Sequence, residues 1–226
     1  MDFAPRTNED NPEPRIACAL LLDTSASMST SGAIDLLNKG FEQFCSEIKQ
    51  DELAAKRAEI AVITFGEMPR VEVPFTEGRD LQPRRFSAAG NTPMGGALDL
   101  ALDQLEAQKQ AYRAAGLEYY RPWMFVLSDG APTDGAIFVA AAARARQAEA
   151  AKQVAVFPIG VGPQADLNKL GEISGQRTAV RLEATRFAQF FEWLSASLSV
   201  ASQSGAYGAR ASDQIALPPA QGWQVV

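Results

Sequence analysis

Apolar positions fall into two rhythms along the chain. Ile16-Ala17-Cys18-Ala19-Leu20-Leu21-Leu22 is an unbroken apolar run that stops at Asp23, the signature of a strand buried on both faces. After a Ser/Thr-rich loop from Asp23 to Gly32, the residues Ile34, Leu37, Phe41, Phe44 and Ile48 recur at spacings of three and four, which predicts an amphipathic helix. Glu59–Phe65 is a second strand ended by Gly66. Val71, Val73 and Phe75 alternate with polar residues, as in a short edge strand joined to it by a hairpin. Residues 86–92 form a loop, and Pro93 opens a helix with Leu98, Ala101, Leu102 and Leu105 on one face. Trp123–Leu127 and Val154–Ile159 are further apolar strands flanking an Ala-rich helix from Asp134 to Lys152. A short helix over 166–173, a last strand over 179–182 and a helix lined by Phe187, Phe190, Phe191, Leu194 and Leu198 complete the pattern. Strands alternating with helices predict an α/β fold: about six strands in a mostly parallel sheet, one antiparallel edge strand, and helices on both faces.

Three segments follow. Residues 1–15 are polar, with Pro5, Pro12 and Pro14, and read as a flexible arm. Residues 16–203 form the domain. Residues 204–226 lack periodicity yet carry Tyr207, Ile215, Leu217, Trp223, Val225 and Val226, so this tail is expected either to pack on the domain or to dock a partner.

Composition narrows the function. The 226 residues contain no histidine, which excludes Ser-His-Asp and Cys-His catalysis and His-ligated metals. Lys and Arg total 21 against 27 Asp and Glu, a net charge of −6, which argues against nucleic-acid binding. Cys18 and Cys45 sit in apolar surroundings and read as reduced core thiols. No apolar run approaches the roughly 18 residues of a membrane span, and the first residues resemble no signal peptide. A cytoplasmic protein is expected.

In open α/β sheets, ligands sit beyond the carboxyl ends of the strands, where strand order reverses. The first strand ends in Asp23-Thr24-Ser25-Ala26-Ser27, in which alternate side chains of an extended segment share a side. A carboxylate and two hydroxyls suit a hard cation such as Mg²⁺. Thr92, before Pro93, and Asp129, after the central strand, fall at the same edge; alone they read as a helix cap and a turn residue. A neutral, hydroxyl-rich shell would leave the ion able to accept an outside carboxylate, which four carboxylates would repel. Met28 and Met94 flank the expected ion and read either as core fillers or as a soft rim for a partner. No phosphate-binding Gly-x-x-x-x-Gly-Lys-Ser/Thr loop is present.

Asp23-x-Ser25-x-Ser27 with Thr92 and Asp129 resembles the metal-ion-dependent adhesion site of von Willebrand factor type A (vWA) domains, over about residues 15–200. Leu36–Gly40, Ile63–Gly66, Asn91–Gly95, Tyr119–Trp123 and Asp129–Asp134 resemble the bacterial TerY/YegL-type members associated with tellurite resistance and stress response. The resemblance implies a Rossmann-like fold and a non-enzymatic, metal-dependent protein-interaction module. It implies that Ser25, Ser27 and Thr92 bind Mg²⁺ (or Mn²⁺ or Ca²⁺) directly, with Asp23 and Asp129 acting mostly through water. A partner would supply an Asp or Glu to the ion; for such members a kinase or PP2C-type phosphatase is the expected kind. A Mg²⁺-dependent phosphate-ester hydrolase and a structural module with an unused site are the alternatives.

Overall fold

The structure is a computed structural model describing residues 7–204 and 224–225. Strand β1 (Ile16–Asp23) is buried along its whole length. It lies between β2 (Ala58–Phe65) and β4 (Trp123–Ser128), parallel to both. With β3 (Pro69–Glu77), β5 (Ala155–Val161), β6 (Val180–Leu182) and β7 (Gln224–Val225), it forms a seven-stranded sheet in the order β3-β2-β1-β4-β5-β6-β7. The hairpin expected between β2 and β3 is present and antiparallel. The seventh strand exceeds the six expected. Arg181 pairs with Val225 and Leu182 with Gln224, so a second antiparallel edge comes from the tail. Two residues show no periodicity, so the sequence pattern gave no warning of it. The tail's expected packing or docking otherwise falls on residues 205–223 and 226, outside the described residues.

Alternation along β1 divides the core. Ile16, Cys18, Leu20 and Leu22 face α1 (Ala26–Thr30), α2 (Ala33–Glu47), α3 (Glu52–Arg57) and α7 (Phe187–Gln203). There Phe41 and Phe44 of α2 meet Phe191 of α7 at ring distances of 6.1 and 5.5 Å. Ala17, Ala19 and Leu21 face α4 (Met94–Ala114), α5 (Gly135–Ala150) and α6 (Leu167–Gly171). The period-2 alternation thus buries both sets of side chains, as a parallel sheet covered on two faces requires. Cys18 and Cys45 are both buried and unbridged. Burial pushes the Cys45 thiol up to about 12 and the Cys18 thiol higher, so both remain protonated.

Two elements escaped the periodicity: α1, inside the Ser/Thr-rich stretch, and α3, whose Asp51 caps the N–H groups of Leu53 and Ala54. Both are too short to show an amphipathic period.

The arm expected over 1–15 is not loose where it is described. Asn11 and Arg15 are buried at the amino end of the sheet. Arg15 Nε donates to Glu59 Oε1 at 3.1 Å, and Arg15 Nη2 to the Asn11 carbonyl at 2.6 Å. Glu59 Oε2 accepts from Tyr112 Oη at 2.5 Å and from Gln108 Nε2 at 2.8 Å. The prolines suggested a solvated arm; a buried ion pair binds it instead, because Glu59 begins an interior strand and requires a cation. Arg15→Met should lower unfolding stability by about 3 kcal/mol in urea titrations by stranding the Glu59 charge. Arg15→Met combined with Glu59→Gln should recover part of that loss.

Candidate metal centre

The site forms where strand order reverses, at the carboxyl ends of β1 and β4. Asp23, the last residue of β1, is fully buried. Its Oδ1 accepts the Ser25 N–H at 2.8 Å, and its Oδ2 accepts the Ser128 hydroxyl. The chain does not continue extended to Ser27, as the alternation argument assumed. Ser25 is extended, but Ser27 lies in the first turn of α1. This turn into a helix brings the two hydroxyls together, Ser25 Oγ to Ser27 Oγ at 2.9 Å. Ser27 Oγ then donates to Asp129 Oδ1 at 2.7 Å, joining the loops after β1 and β4.

The third segment is laced to the first through backbone. Ala89 N–H donates to the Thr24 carbonyl at 2.8 Å, Ala26 N–H to Gly90 at 3.2 Å, and Asn91 N–H to Gly66 at 3.0 Å. Gly66 allows this closeness, since a Cβ there would stand 2.4 Å from the carbonyl oxygens of both Thr24 and Ala89. Thr92 is buried, and its Oγ1 lies 3.5 Å from the point where a side chain on Gly130 would begin, next to Asp129. Its hydroxyl does not cap α4. The first-turn N–H groups of Gly95 and Gly96 go to Asp134 at 3.1 and 2.9 Å.

The five predicted residues thus share one end of the sheet. Asp23, Ser25, Ser27 and Asp129 form one hydrogen-bonded chain, and Thr92 stands beside it. Met28 and Met94 do not rim the site. They are 1% and 0% exposed, one in each core layer. Both lie in a first helical turn, whose geometry turns them inward to seat α1 and α4. The exposed apolar side chains at this end include Met68, after β2, and Ile137, in the first turn of α5, at 61% and 54%. Met68 stands with Thr24, Gly66, Arg85 and Ala89 around a cleft of about 390 Å³ beside the Asp23–Ser25 turn. Sequence reasoning also passed over Ser128, Thr133 and Asp134. A polar residue closing an apolar strand and a second acid five positions beyond Asp129 were the available signals.

Burial pushes the Asp23 carboxyl up to about 6, against the pull of the Ser128 and Ser25 hydrogen bonds, and Asp129 raises it further. Burial also raises Asp129, opposed by the Ser27 hydroxyl. Two carboxylates and three hydroxyls, all oxygen donors, fit a hard divalent cation, which would relieve this penalty. Among the described residues no three His, Cys, Asp or Glu side chains cluster as a metal cage, so a metal here would depend on the hydroxyls.

A mostly parallel sheet of this order, covered by helices on both faces, defines a Rossmann-like α/β domain. The von Willebrand factor type A domain model matches residues 18–193, and the chain belongs to that family. The search of curated proteins gives no match. Among solved structures, the chain is similar to the manganese-loaded TRAP protein of Plasmodium vivax, with TM-score 0.56 and 17% identity over 78% of this chain and 73% of that one. The von Willebrand factor type A protein of Catenulispora acidiphila gives 0.59 and 17%, covering 83% of this chain but only 43% of that one. The vWF domain of the pilus tip protein Mfa5 from Porphyromonas gingivalis gives 0.61 and 11%, over 85% and 98%. At these identities the likeness is one of fold. Among the described residues no helix is long and apolar enough to cross a membrane.

The raised Asp23 pKa fixes a stability trend. Between pH 4 and 6 the native state keeps a proton that the unfolded chain has released, so stability in chelator falls as pH rises through this window and stays lower above it. Asp23→Asn should therefore stabilise the chelated protein by about 2 kcal/mol at pH 7.5 and by much less at pH 4.5. Denaturant titrations at the two pH values check this, and an equal effect at both would contradict it.

Proposed function

We propose that the chain is a divalent-cation-dependent protein-interaction module whose partner contributes an Asp or Glu carboxylate. The observation that carries the reading is the convergence of Asp23, Ser25, Ser27, Thr92 and Asp129 from three distant segments at one sheet edge. Ser25, Ser27 and Thr92 bind the cation through their hydroxyls. Asp23 and Asp129 orient those hydroxyls and hold water. A bound Mg²⁺ supplies a Lewis-acidic position that a partner's carboxylate completes, and Mn²⁺ or Ca²⁺ can replace it. The manganese-loaded state of the Plasmodium relative supports such an ion on this fold.

Binding, not turnover, is the activity in this reading. Two carboxylates and three neutral hydroxyls balance a divalent charge without exceeding it, so the ion keeps enough Lewis acidity to accept a partner's carboxylate. In this reading the module acts in the cytoplasm, in stress or tellurite-resistance signalling, as the TerY/YegL-type resemblance implies. The resemblance directs the search for a partner first to a kinase or a PP2C-type phosphatase.

Calorimetric titration of the purified protein with Mg²⁺ and Mn²⁺ should give one site per chain. Thr92→Ala should weaken it at least tenfold while leaving the circular dichroism spectrum unchanged. Capture of a partner by the immobilised chain should be lost on chelation and with Thr92→Ala. Absence of binding heat at millimolar Mg²⁺ and Mn²⁺ would overturn the reading.

A further inference from the structure

The geometry points to Asp134, with Thr133, as the positioning residue of the metal centre: it joins the Thr92 segment to the Asp129 segment so that two of the three donor segments move as one body. The inference rests on the cation-binding reading above. Asp134 grips the start of α4 with both oxygens, Oδ1 accepting from Gly95 N–H and Oδ2 from Gly96 N–H. Thr133 grips Thr92 itself. Thr92 N–H donates to Thr133 Oγ1 at 3.1 Å, and Thr133 N–H donates to the Thr92 carbonyl at 2.9 Å. Four hydrogen bonds thus tie residues 92–96 to residues 133–134. Behind them the two helix starts abut: a Cβ on Gly95 would lie 2.4 Å from the Phe138 nitrogen.

Helix caps are ordinarily local, and Thr92 has the side chain to cap this helix. Here a residue 39 and 38 positions away takes the two first-turn donors instead. The exchange has a chemical consequence. A Thr92 hydroxyl engaged in capping would point at the helix, with one of its two lone pairs spent on an N–H. With Asp134 as the cap, that hydroxyl stands beside Gly130 and is left to a cation. The Asp23–Ser27 segment meets the joined body through two side-chain contacts on the Asp129 side, Ser27 with Asp129 and Ser128 with Asp23, and two backbone hydrogen bonds on the Thr92 side, Ala89 to Thr24 and Ala26 to Gly90. Donor geometry around an ion is therefore set by two bodies rather than three separate loops, and less ordering remains to be done on binding.

A double-mutant cycle separates positioning from mere helix stability. Asp134→Ala should lower Mn²⁺ affinity 10- to 100-fold by calorimetry, and Asp134→Asn, which keeps one acceptor, should lose less. On a Thr92→Ala background, Asp134→Ala should weaken Mn²⁺ binding no further, because the ligand it positions is gone. In chelator, Asp134→Ala should speed amide exchange across residues 92–96 at least tenfold and leave β1 unchanged. Wild-type affinity in Asp134→Ala, or an equal loss on both backgrounds, would overturn the positioning role while the metal reading stands. A wild type that binds no Mn²⁺ would overturn both, and unchanged exchange at 92–96 would show that the latch itself is absent.

Discussion

A carboxylate buried at the end of the central strand governs this molecule. Asp23 cannot move to water, because β1 is sealed by β2 on one side and β4 on the other. It cannot shed its charge cheaply at neutral pH either, since burial carries its pKa only to about 6. What remains is to gather donors. The Ser25 N–H takes one oxygen and the Ser128 hydroxyl the other. Those two contacts fix where the chain turns after β1 and where β4 must end relative to it. The rest of the site follows from that alignment: α1 starts at once, Ser27 swings back over Ser25, and Asp129 falls within reach of Ser27.

The two ends of the sheet solve the problem of buried charge differently. At the amino end, Glu59 is met by Arg15, Tyr112 and Gln108, and Glu77 by Asn11, Arg15 and Arg79. Cation and anion both belong to the chain, so that end is electrostatically closed. At the carboxyl end, Asp23 and Asp129 are met by hydroxyls and a backbone N–H, and the charge acting on Asp23 is the other carboxylate, which opposes it. Hydroxyls soften a negative charge without neutralising it. Had the fold needed only internal stability here, an arginine as at the other end would have served it. The contrast is what the proposed cation-binding role rests on: one cluster carries its own counter-charge and the other does not.

Much of this was legible in the sequence, for identifiable reasons. The apolar runs from Ile16 and Trp123 are unbroken, the first ended by Asp23 and the second by Ser128 and Asp129, so both the parallel interior and the candidate edge could be read from them. The five candidate residues could be named because acids and hydroxyls close separate predicted elements at one sheet edge in the order of the vWA motif, although Thr92 and Asp129 singly read as a cap and a turn residue. The misreadings share a cause: they concern direction rather than type. Met28 and Met94 are adjacent in sequence to donors, but each lies in a first helical turn, where about 100° of rotation per residue separates neighbours, and each points to the core. Ser27 comes beside Ser25 through a helical turn, not through the extended segment that the alternation argument assumed. Arg15 looked like the end of a solvated arm because its partner, Glu59, lies 44 residues on. A two-residue strand such as β7 carries no period at all, and its pairing is decided by the open edge of β6.

Side-chain direction also explains why neutral donors outnumber charged ones at the site. Three loops converge there, and each must find partners for its own backbone as well as present a ligand. Carboxylates bind backbone N–H groups strongly, as Asp134 does at Gly95 and Gly96 and Asp23 at Ser25. Acids are therefore spent on holding loops in place, and the hydroxyls of Ser25, Ser27 and Thr92 remain as the more loosely committed donors. The division has an electrostatic benefit as well. Each further carboxylate facing the same point would deepen the repulsion already felt between Asp23 and Asp129, and would turn away an acidic side chain approaching from outside. For the proposed role, a centre held by anions yet receptive to one more, keeping the anions behind and the hydroxyls in front meets both demands.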